Sequence, residues 1–340
     1  MTVQREIAIL EEIIEYYLEH QEAISARTLS KISRLSLSPT TIRNLMEDLS
    51  AEGLLTSAGV PRGRVPTQKA FSVYVTRLAP AAAPPAAEPS PPLPTFAAAL
   101  DRAGHTLSSE TGCVALCAFP PADAYPLGWV HFGAAPGNRV LVAVQTLLDD
   151  LWCKVLETAS AFPDELLREV VRFINERYLA VPLARIRQDI MSGEPKDLLA
   201  RMPSVGSAFR MLRKAFEWEA PAQRAWGQER LLGMAAGQDG PRLFMLQQAL
   251  ADRELLRRGL HAGRGVAGAR VSLGTETGYS ALEDCALVCH SFGAGDWAAI
   301  LGVLGPMSLN YPRVLDSVVR AAQTLSAAAS RRLAEPGPVR

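Results

Sequence analysis

The chain has 340 residues, enough for two or three domains that each bury a hydrophobic core. Hydrophobic residues make up 48% and charged residues 21%, the balance of an ordinary globular protein, and no apolar run reaches membrane-spanning length. The N-terminus is charged from Arg5 onward, which argues against a secretory signal peptide. Five scattered cysteines cannot form a disulfide framework, which fits a reducing cytoplasm. We therefore expect a cytoplasmic protein, and the lack of a long apolar run predicts that it does not bind membranes.

The net charge of zero hides an uneven distribution at the N-terminus. Residues 1–22 carry one Arg and six Glu, whereas residues 23–78 carry eight Lys or Arg against three acidic residues. A module with this charge pattern can present a basic side to a polyanion while its acidic helix points away. The pattern therefore keeps nucleic acid among the candidate partners.

Three helices are predicted at the N-terminus. The first has apolar residues at helical spacing over residues 7–18. Ser25 is a good N-cap for a second, short helix that ends near Leu35. The third helix is predicted most clearly, because Ser38 is a natural N-cap, a proline occupies the first helical position, and Gly53 ends the helix.

A hairpin and a linker are predicted after the third helix. Residues 54–56 look like a strand, residues 57–67 like a loop rich in Gly, Pro and Arg, and residues 70–75 like the returning strand. Three helices followed by a basic hairpin predict a winged helix-turn-helix over residues 1–78. Residues 79–96 are predicted to be an extended linker, because their first sixteen positions hold seven prolines and one charge.

The rest of the chain is predicted to be a mixed α+β region. Strands are expected at residues 111–119, 128–132 and 139–146, an amphipathic helix at 164–178, mainly helices at 186–260, strands at 269–273, 285–290 and 298–304, and a final helix at 311–329. This order suggests an α+β domain of residues 97–185 and 236–340, interrupted by a mainly helical inserted domain at residues 186–235.

The third helix carries the candidate recognition surface. At 100° per residue, one stripe is apolar and packs inward (Ile42, Leu45, Met46 and Leu49), while Thr40, Thr41, Arg43, Asn44 and Glu47 lie on or beside the opposite face. Arg can read guanine bidentately, Asn can pair with adenine, and Thr can contact phosphate or a thymine methyl. The alternative is an ordinary solvated face on a module that binds no DNA. The basic charge and the Arg62-Gly-Arg64 loop favour DNA.

The candidate DNA-binding residues lie on the second helix, the third helix and the loop after it. They are Arg27, Thr28, Lys31, Ser38, Thr40, Thr41, Arg43, Asn44, Arg62 and Arg64.

Two separated motifs resemble one known family. The segments SARTLSK (25–31), LSPTTIRNLMEDLSAEGLLT (37–56) and GRVPTQKAF (63–71) resemble the heat-inducible transcription repressor family HrcA. The segments LEDCALV (282–288) and GVLGPMSLNYPRV (302–314) are similar to the C-terminal signature of that family. The two motifs stand in the family's order more than 200 residues apart, which makes the signal specific.

The resemblance implies a winged helix, a GAF-like domain and a dimerisation domain inserted into it. It also implies that a homodimer represses chaperone genes by binding an inverted-repeat DNA operator, and that the chaperonin GroEL keeps the repressor competent. A ligand-sensing regulator of other operons, with an apolar cavity near residues 285–290, is the alternative. A protein-interaction adaptor built on a winged helix is a third reading.

No cofactor, metal or catalytic site is predicted. Residues 263–268 match a GxGxxG pattern, but the pattern follows a predicted helix and precedes a strand, the reverse of a dinucleotide-binding loop, so we interpret it as a turn. Cys113 and Cys117, like Cys285 and Cys289, lie in predicted strands, where residues i and i+4 are about 13 Å apart at roughly 3.3 Å per residue. That distance is too long for two ligands of one zinc ion, and no nucleophile motif is present, so we expect a non-enzyme.

Overall fold

A computed structural model of the chain describes residues 2–58, 63–78, 95–159, 161–192, 223–234, 240–252, 254–266 and 268–334. Residues 79–94 of the predicted linker, Arg62 of the candidate site and residues 193–222 of the predicted insert lie outside these described residues. No helix in the described part is long and apolar enough to cross a membrane.

The described residues of the N-terminal module form four helices and a short hairpin. In chain order these are α1 (Thr2–His20), α2 (Ala26–Ile32), α3 (Pro39–Ala51), β1 (Leu55–Ser57), β2 (Arg64–Pro66) and α4 (Gln68–Arg77). The three predicted N-terminal helices are confirmed, although α2 ends three residues before the predicted limit. The predicted N-caps are also present, since Ser25 Oγ accepts the Thr28 N–H at 3.1 Å and Ser38 Oγ accepts the Thr41 N–H at 3.1 Å.

The prediction of a returning strand at residues 70–75 is wrong, because these residues lie in α4. Thr67 caps this helix by accepting the Ala70 N–H at 3.3 Å. The buried positions 70, 71, 74 and 75 follow helical spacing, and this burial outweighs the β-propensity of the aromatic and branched side chains. The strand that returns is β2, which lies inside the segment predicted to be a loop.

The remaining chain, from residue 95 onward, is called the body. Its elements are α5 (Phe96–Thr111), β3 (Val114–Ala118), β4 (Leu127–Ala135), β5 (Arg139–Thr146), β6 (Leu151–Glu157), α6 (Asp164–Tyr178), α7 (Leu183–Met191), β7 (Gln223–Trp226), α8 (Leu231–Met234), α9 (Gly240–Ala251), α10 (Leu255–Ala262), β8 (Arg264–Val266), β9 (Ala269–Leu273), β10 (Cys285–Ala294), β11 (Trp297–Pro306) and α11 (Tyr311–Ala334). The body is therefore a mixed α+β structure, as predicted.

A six-stranded antiparallel sheet forms the centre of the body, with strand order β7-β3-β11-β10-β9-β8. Helices α5 and α11 pack on one face of this sheet, and α9 and α10 pack on the other. The apolar core on the α11 side is continuous with the core of the N-terminal module, from Ile9 to Ala329.

A second, three-stranded sheet has the order β4-β5-β6 and its own core. Its inner face packs against α6 and α7 through buried residues such as Val130, Val142 and Ile174. The predicted strands at residues 128–132 and 139–146 lie in this sheet and not in the six-stranded one. Strand β6, which the sequence did not predict, completes it.

The other body predictions have mixed outcomes. The helix at 164–178 and the strands at 139–146 and 269–273 are confirmed with the predicted limits. Helix α5 was not predicted, and it includes Thr111, where a strand was expected. The prediction of mainly helix over 186–260 is wrong at β7, because this segment pairs with the edge of β3 and thereby buries Trp226. Pairing between strands that are distant in sequence cannot be predicted from the local pattern of residues.

The glycine and cysteine motifs are structural in the described residues. Gly263 follows α10 and leads into the β8–β9 hairpin, so the GxGxxG pattern has the helix-then-strand order that the sequence indicated. Cys113, Cys117, Cys285 and Cys289 are buried, whereas Cys153 is exposed. Burial raises the pKa of Cys285 and of Cys289 to about 12, which keeps these thiols protonated and unreactive.

Candidate nucleic-acid interface

Helix α3 is built to present one polar face outward. Pro39 occupies its first position, where the missing N–H costs nothing, and Gly53 adopts a φ of +73° just beyond its end. The inward stripe is buried as predicted: Ile42, Leu45, Met46 and Leu49. These four side chains pack against the rest of the module, so the rotation of α3 about its own axis is fixed by burial.

The opposite face of α3 is open to solvent. Thr40, Thr41, Arg43 and Asn44 are all exposed. Neither Arg43 nor Asn44 forms a side-chain hydrogen bond or ion pair with another described residue. A guanidinium and a carboxamide, adjacent in sequence and both exposed, can supply the two bidentate contacts that distinguish guanine and adenine in the major groove.

Three of the candidate hydroxyls take part in helix caps. Ser38 Oγ lies 2.9 Å from Thr41 Oγ1, and Thr28 Oγ1 lies 2.8 Å from Ser25 Oγ. Each pair sits at a helix N-terminus, where backbone N–H groups and the helix dipole favour a negative charge. Ser38 and Thr41 are exposed, so this N-terminus is accessible to a phosphate group.

Most of the described Arg and Lys residues of the module fall into two classes. Arg34 and Arg77 form ion pairs with glutamates of α1, at 3.3 Å to Glu15 and 2.8 Å to Glu11. The candidate residues Arg27, Lys31, Arg43 and Arg64 have no such pair among the described residues. The acidic helix therefore neutralises cations outside the candidate set and leaves those of the candidate surface free for phosphate.

The wing is the β1–β2 hairpin. Ser57 pairs with Arg64 at the end of the hairpin next to its connecting loop, and Arg64 also exchanges two backbone hydrogen bonds with Ile24, at 3.0 and 3.1 Å. Arg64 is half-buried next to the loop of the wing, while Arg62 lies outside the described residues. A Cβ at Gly63 would lie 2.6 Å from the Cβ of Ala23, so only glycine lets the wing lie this close to the module.

Residues that hold the far end of α3 were not predicted from the sequence. Thr67 Oγ1 donates to the Gly53 carbonyl at 2.8 Å, and Lys69 Nζ donates to the Glu52 carbonyl at 2.7 Å. The signal was present, because Thr67 precedes a run of apolar residues at helical spacing, but the run was interpreted as a strand. These contacts satisfy carbonyl groups at the C-terminal end of α3.

Comparison with protein families gives two matches that together span most of the chain. Residues 1–77 match the family model described as "Winged helix-turn-helix transcription repressor, HrcA DNA-binding". Residues 97–315 match the model described as "HrcA protein C terminal domain".

Curated relatives match over nearly the full length. The heat-inducible transcription repressor HrcA of Xanthomonas euvesicatoria pv. vesicatoria is 31% identical over 338 residues, covering 94% of each chain. The repressor of the same name from Geobacter sulfurreducens is 26% identical over 331 residues, covering 95% of this chain and 97% of the relative.

One solved structure shares the fold. It is the crystal structure of a hypothetical protein at 2.2 Å resolution, and its sequence is 19% identical to this chain. The two structures match with a TM-score of 0.63, over 96% of this chain and 97% of the other.

Proposed function

Because the chain belongs to the HrcA family of heat-inducible transcription repressors, a family of DNA-binding regulators and not of enzymes, we propose that it represses chaperone genes as a homodimer on an inverted-repeat operator. The exposed, unpaired face of α3 carries this proposal. Arg43 and Asn44 read bases in the major groove, and Thr40 and Thr41 contact phosphate or a thymine methyl.

The remaining candidate residues contact the DNA backbone. Arg27 and Lys31 are exposed on α2, and neither is neutralised by a described carboxylate. Ser38 and Thr28 lie at helix N-termini that favour phosphate. Arg64, with Arg62, extends the basic surface to the wing, which follows the adjacent backbone or minor groove.

The body supplies the dimer contact in this proposal. An inverted repeat requires two recognition helices related by a two-fold axis, and hence a self-complementary interface elsewhere in the chain. The three-stranded sheet offers one. Its face away from α6, here called the outer sheet face, carries Leu141, Leu151 and Val155, which are 40%, 56% and 52% exposed. Exposed apolar side chains grouped in this way mark interaction surfaces.

We propose a winged helix at 1–78, a linker at 79–96, and a GAF-like domain interrupted by an inserted dimerisation unit, with boundaries shifted from the 97–185, 186–235 and 236–340 that the sequence suggested. The six-stranded antiparallel sheet with helices on both faces supports the GAF-like domain. The separate core of the three-stranded sheet supports an inserted unit, and its position between β3 and β7 extends that unit toward residue 127.

Heat control is proposed to act through fold stability, with the chaperonin GroEL keeping the repressor competent. The described residues contain no group of His, Cys, Asp and Glu side chains that could hold a metal sensor. A marginally stable domain responds to temperature directly, and a chaperonin occupied by other unfolded proteins would leave the repressor inactive.

A gel-shift experiment tests the proposal. The full chain is titrated against duplexes carrying inverted repeats from upstream of chaperone operons, and against the same duplexes with one half-site scrambled. Tight binding that requires both half-sites, that is lost after brief heating, and that GroEL with ATP restores is the expected result. Failure to bind any inverted repeat would favour a ligand-sensing regulator of other operons.

A further inference from the structure

Residues 67–69, at the start of α4, form hydrogen bonds both to the end of α3 and to the body. Thr67 and Lys69 donate to backbone carbonyls of Gly53 and Glu52, at the C-terminal end of α3. The backbone N–H of Thr67 also donates to the Leu54 carbonyl at 3.0 Å, and Thr67 Oγ1 lies 3.2 Å from the same oxygen. The first turn of α4 therefore holds the end of the recognition helix α3 and the start of the wing.

Gln68, between these two residues, faces the body instead. Its Nε2 donates to the Leu273 carbonyl of β9 at 2.7 Å and lies 3.4 Å from Thr275 Oγ1. Gly274 lies against this contact with a φ of +50°, and a Cβ there would lie 2.5 Å from the Glu283 carbonyl oxygen and 2.6 Å from Gln68 Oε1. The contact thus ties the same turn of α4 to the six-stranded sheet.

An aromatic contact continues this junction along α4. The Tyr311 ring lies 6.3 Å from the Phe71 ring and 6.4 Å from the Tyr74 ring, measured between centroids. Tyr311 is fully buried and donates its hydroxyl proton to the Met307 carbonyl at 2.6 Å. Rings at these separations and tilts form favourable aromatic pairs, so the junction is both packed and directional.

Tyr311 is the first residue of α11 and belongs to the C-terminal motif GVLGPMSLNYPRV. Gln68 and Phe71 belong to the N-terminal motif GRVPTQKAF. The junction therefore joins the two sequence motifs that are most distinctive in this chain. A role in DNA contact would not explain why these residues of the two motifs pack against each other.

We propose that residues 67–69, together with Tyr311, are positioning residues that fix the orientation of the recognition helix relative to the body. This proposal rests on the proposed function, in which a dimeric body carries two recognition helices. A rigid junction holds the two helices at one separation and angle, which pre-organises the dimer for one spacing of half-sites. Loosening the junction leaves each recognition surface intact and removes the preference for that spacing.

The test uses the full-length protein and DNA that it selects itself from a random duplex pool. Affinity is then measured for the selected inverted repeat, for a single half-site, and for repeats whose central spacer is longer or shorter by a few base pairs. The variants are Gln68→Ala and Tyr311→Ala. Thr76→Ala serves as the matched control, because Thr76 is exposed on the same helix and its hydroxyl donates to Ser72 within α4.

Gln68→Ala and Tyr311→Ala are expected to keep half-site affinity within about twofold and to lose about tenfold on the selected repeat, with a flattened spacing profile. Thr76→Ala should retain the wild-type profile. Sedimentation and thermal unfolding confirm that each variant is dimeric and folded, and Gln68→Ala decides the result if Tyr311→Ala does not fold.

Either of two outcomes would overturn the junction proposal. One is a wild-type spacing profile in the folded Gln68→Ala variant. The other is an equal loss of affinity for the half-site and for the repeat, because a purely structural role of Gln68 would produce that result. If the wild-type protein selects no inverted repeat, the proposed function itself fails and the junction proposal fails with it.

Discussion

Ser38 Oγ accepts the backbone N–H of Thr41 at 3.1 Å and caps the recognition helix at the end where phosphate is proposed to bind. The contribution of the cap to stability and the contribution of the phosphate contact to DNA binding can be separated by two substitutions of Ser38. Ser38→Ala removes the cap and should lower the free energy of unfolding by about 1 kcal/mol. Ser38→Asp keeps a capping oxygen but adds a negative charge, so it should retain stability and weaken binding to any DNA.

Chemical denaturation and fluorescence anisotropy with cognate and random duplexes measure the two effects. The informative comparison is Ser38→Asp, since its folded state is expected to be as stable as that of the wild type. If this variant bound DNA as tightly as the wild type does, phosphate would not approach the N-terminus of α3.

Base readout and backbone contact should differ in their dependence on DNA sequence and salt. Arg43→Ala and Asn44→Ala remove exposed groups of α3 and should each cost about 1–3 kcal/mol on the cognate operator, with little change on random DNA. Lys31→Ala and Arg64→Ala should weaken binding to both DNAs and reduce the salt slope by about one unit. Salt titrations of the four variants on both duplexes measure this difference.

Arg34→Ala provides the matched control for these variants. Arg34 is an exposed cation of the same module, but its guanidinium is paired with Glu15 of α1. It should change DNA affinity less than Lys31→Ala does. An equal loss on cognate and random DNA for Arg43→Ala would mean that α3 does not lie in the groove as proposed.

The recognition helix could be predicted from the sequence because its determinants are local. Ser38, the proline after it and Gly53 mark its ends, and four apolar residues at helical spacing define its buried face. Helix α4 carries local signals of the same kind, the Thr67 N-cap and apolar residues at helical spacing, but its aromatic and branched side chains also fit a strand. Its burial pattern depends on contacts of Phe71 and Tyr74 with Tyr311, which lies more than 230 residues away in sequence.

The two sheets of the body show the same limit of local information. The strand 139–146 was predicted because its apolar and branched residues form a continuous run. This strand belongs to a separate sheet because it pairs with β6. Most residues of β6 are exposed, so the sequence of β6 lacks the apolar pattern by which a strand is predicted. Likewise, β7 is a strand because Trp226 pairs with Ala115 at the edge of β3.

The proposed dimer interface predicts a change in oligomeric state. Leu151→Asp combined with Val155→Asp places two charges on the outer sheet face and should convert the dimer to monomer, because desolvating unpaired carboxylates in an apolar interface is costly. Phe244→Asp is the control, since Phe244 is 60% exposed on α9 in another part of the body. Sedimentation equilibrium distinguishes monomer from dimer.

Cys153 reports on the same face without altering it. It lies between Leu151 and Val155 on β6 and is exposed in the single chain, whereas the other four cysteines are buried. Maleimide labelling of Cys153 should be slow in the wild-type dimer and fast in the Leu151→Asp/Val155→Asp variant. Rapid labelling of a stable wild-type dimer would place the interface elsewhere.

Asp150 predicts a pH dependence of stability. Burial raises the pKa of this carboxyl to about 6, the neighbouring Asp149 adds to the rise, and Arg224 opposes it. The folded chain therefore holds the Asp150 proton more tightly than the unfolded chain does. The stability that this group contributes is present below its ordinary pKa and is lost as the pH rises through about 6.

Asp150→Asn removes the ionisable group and should raise the free energy of unfolding near neutral pH by about 1–2 kcal/mol. The gain should shrink as the pH falls from about 6 toward 4 and should vanish below the ordinary pKa, where Asp150 is protonated in both states. Asp48→Asn, at an exposed position on α3, should change stability by less than about 0.5 kcal/mol at any pH. Urea unfolding of both variants across this pH range measures the difference from wild type. A stabilisation by Asp150→Asn that did not depend on pH would show that the charge of Asp150 is not its cause.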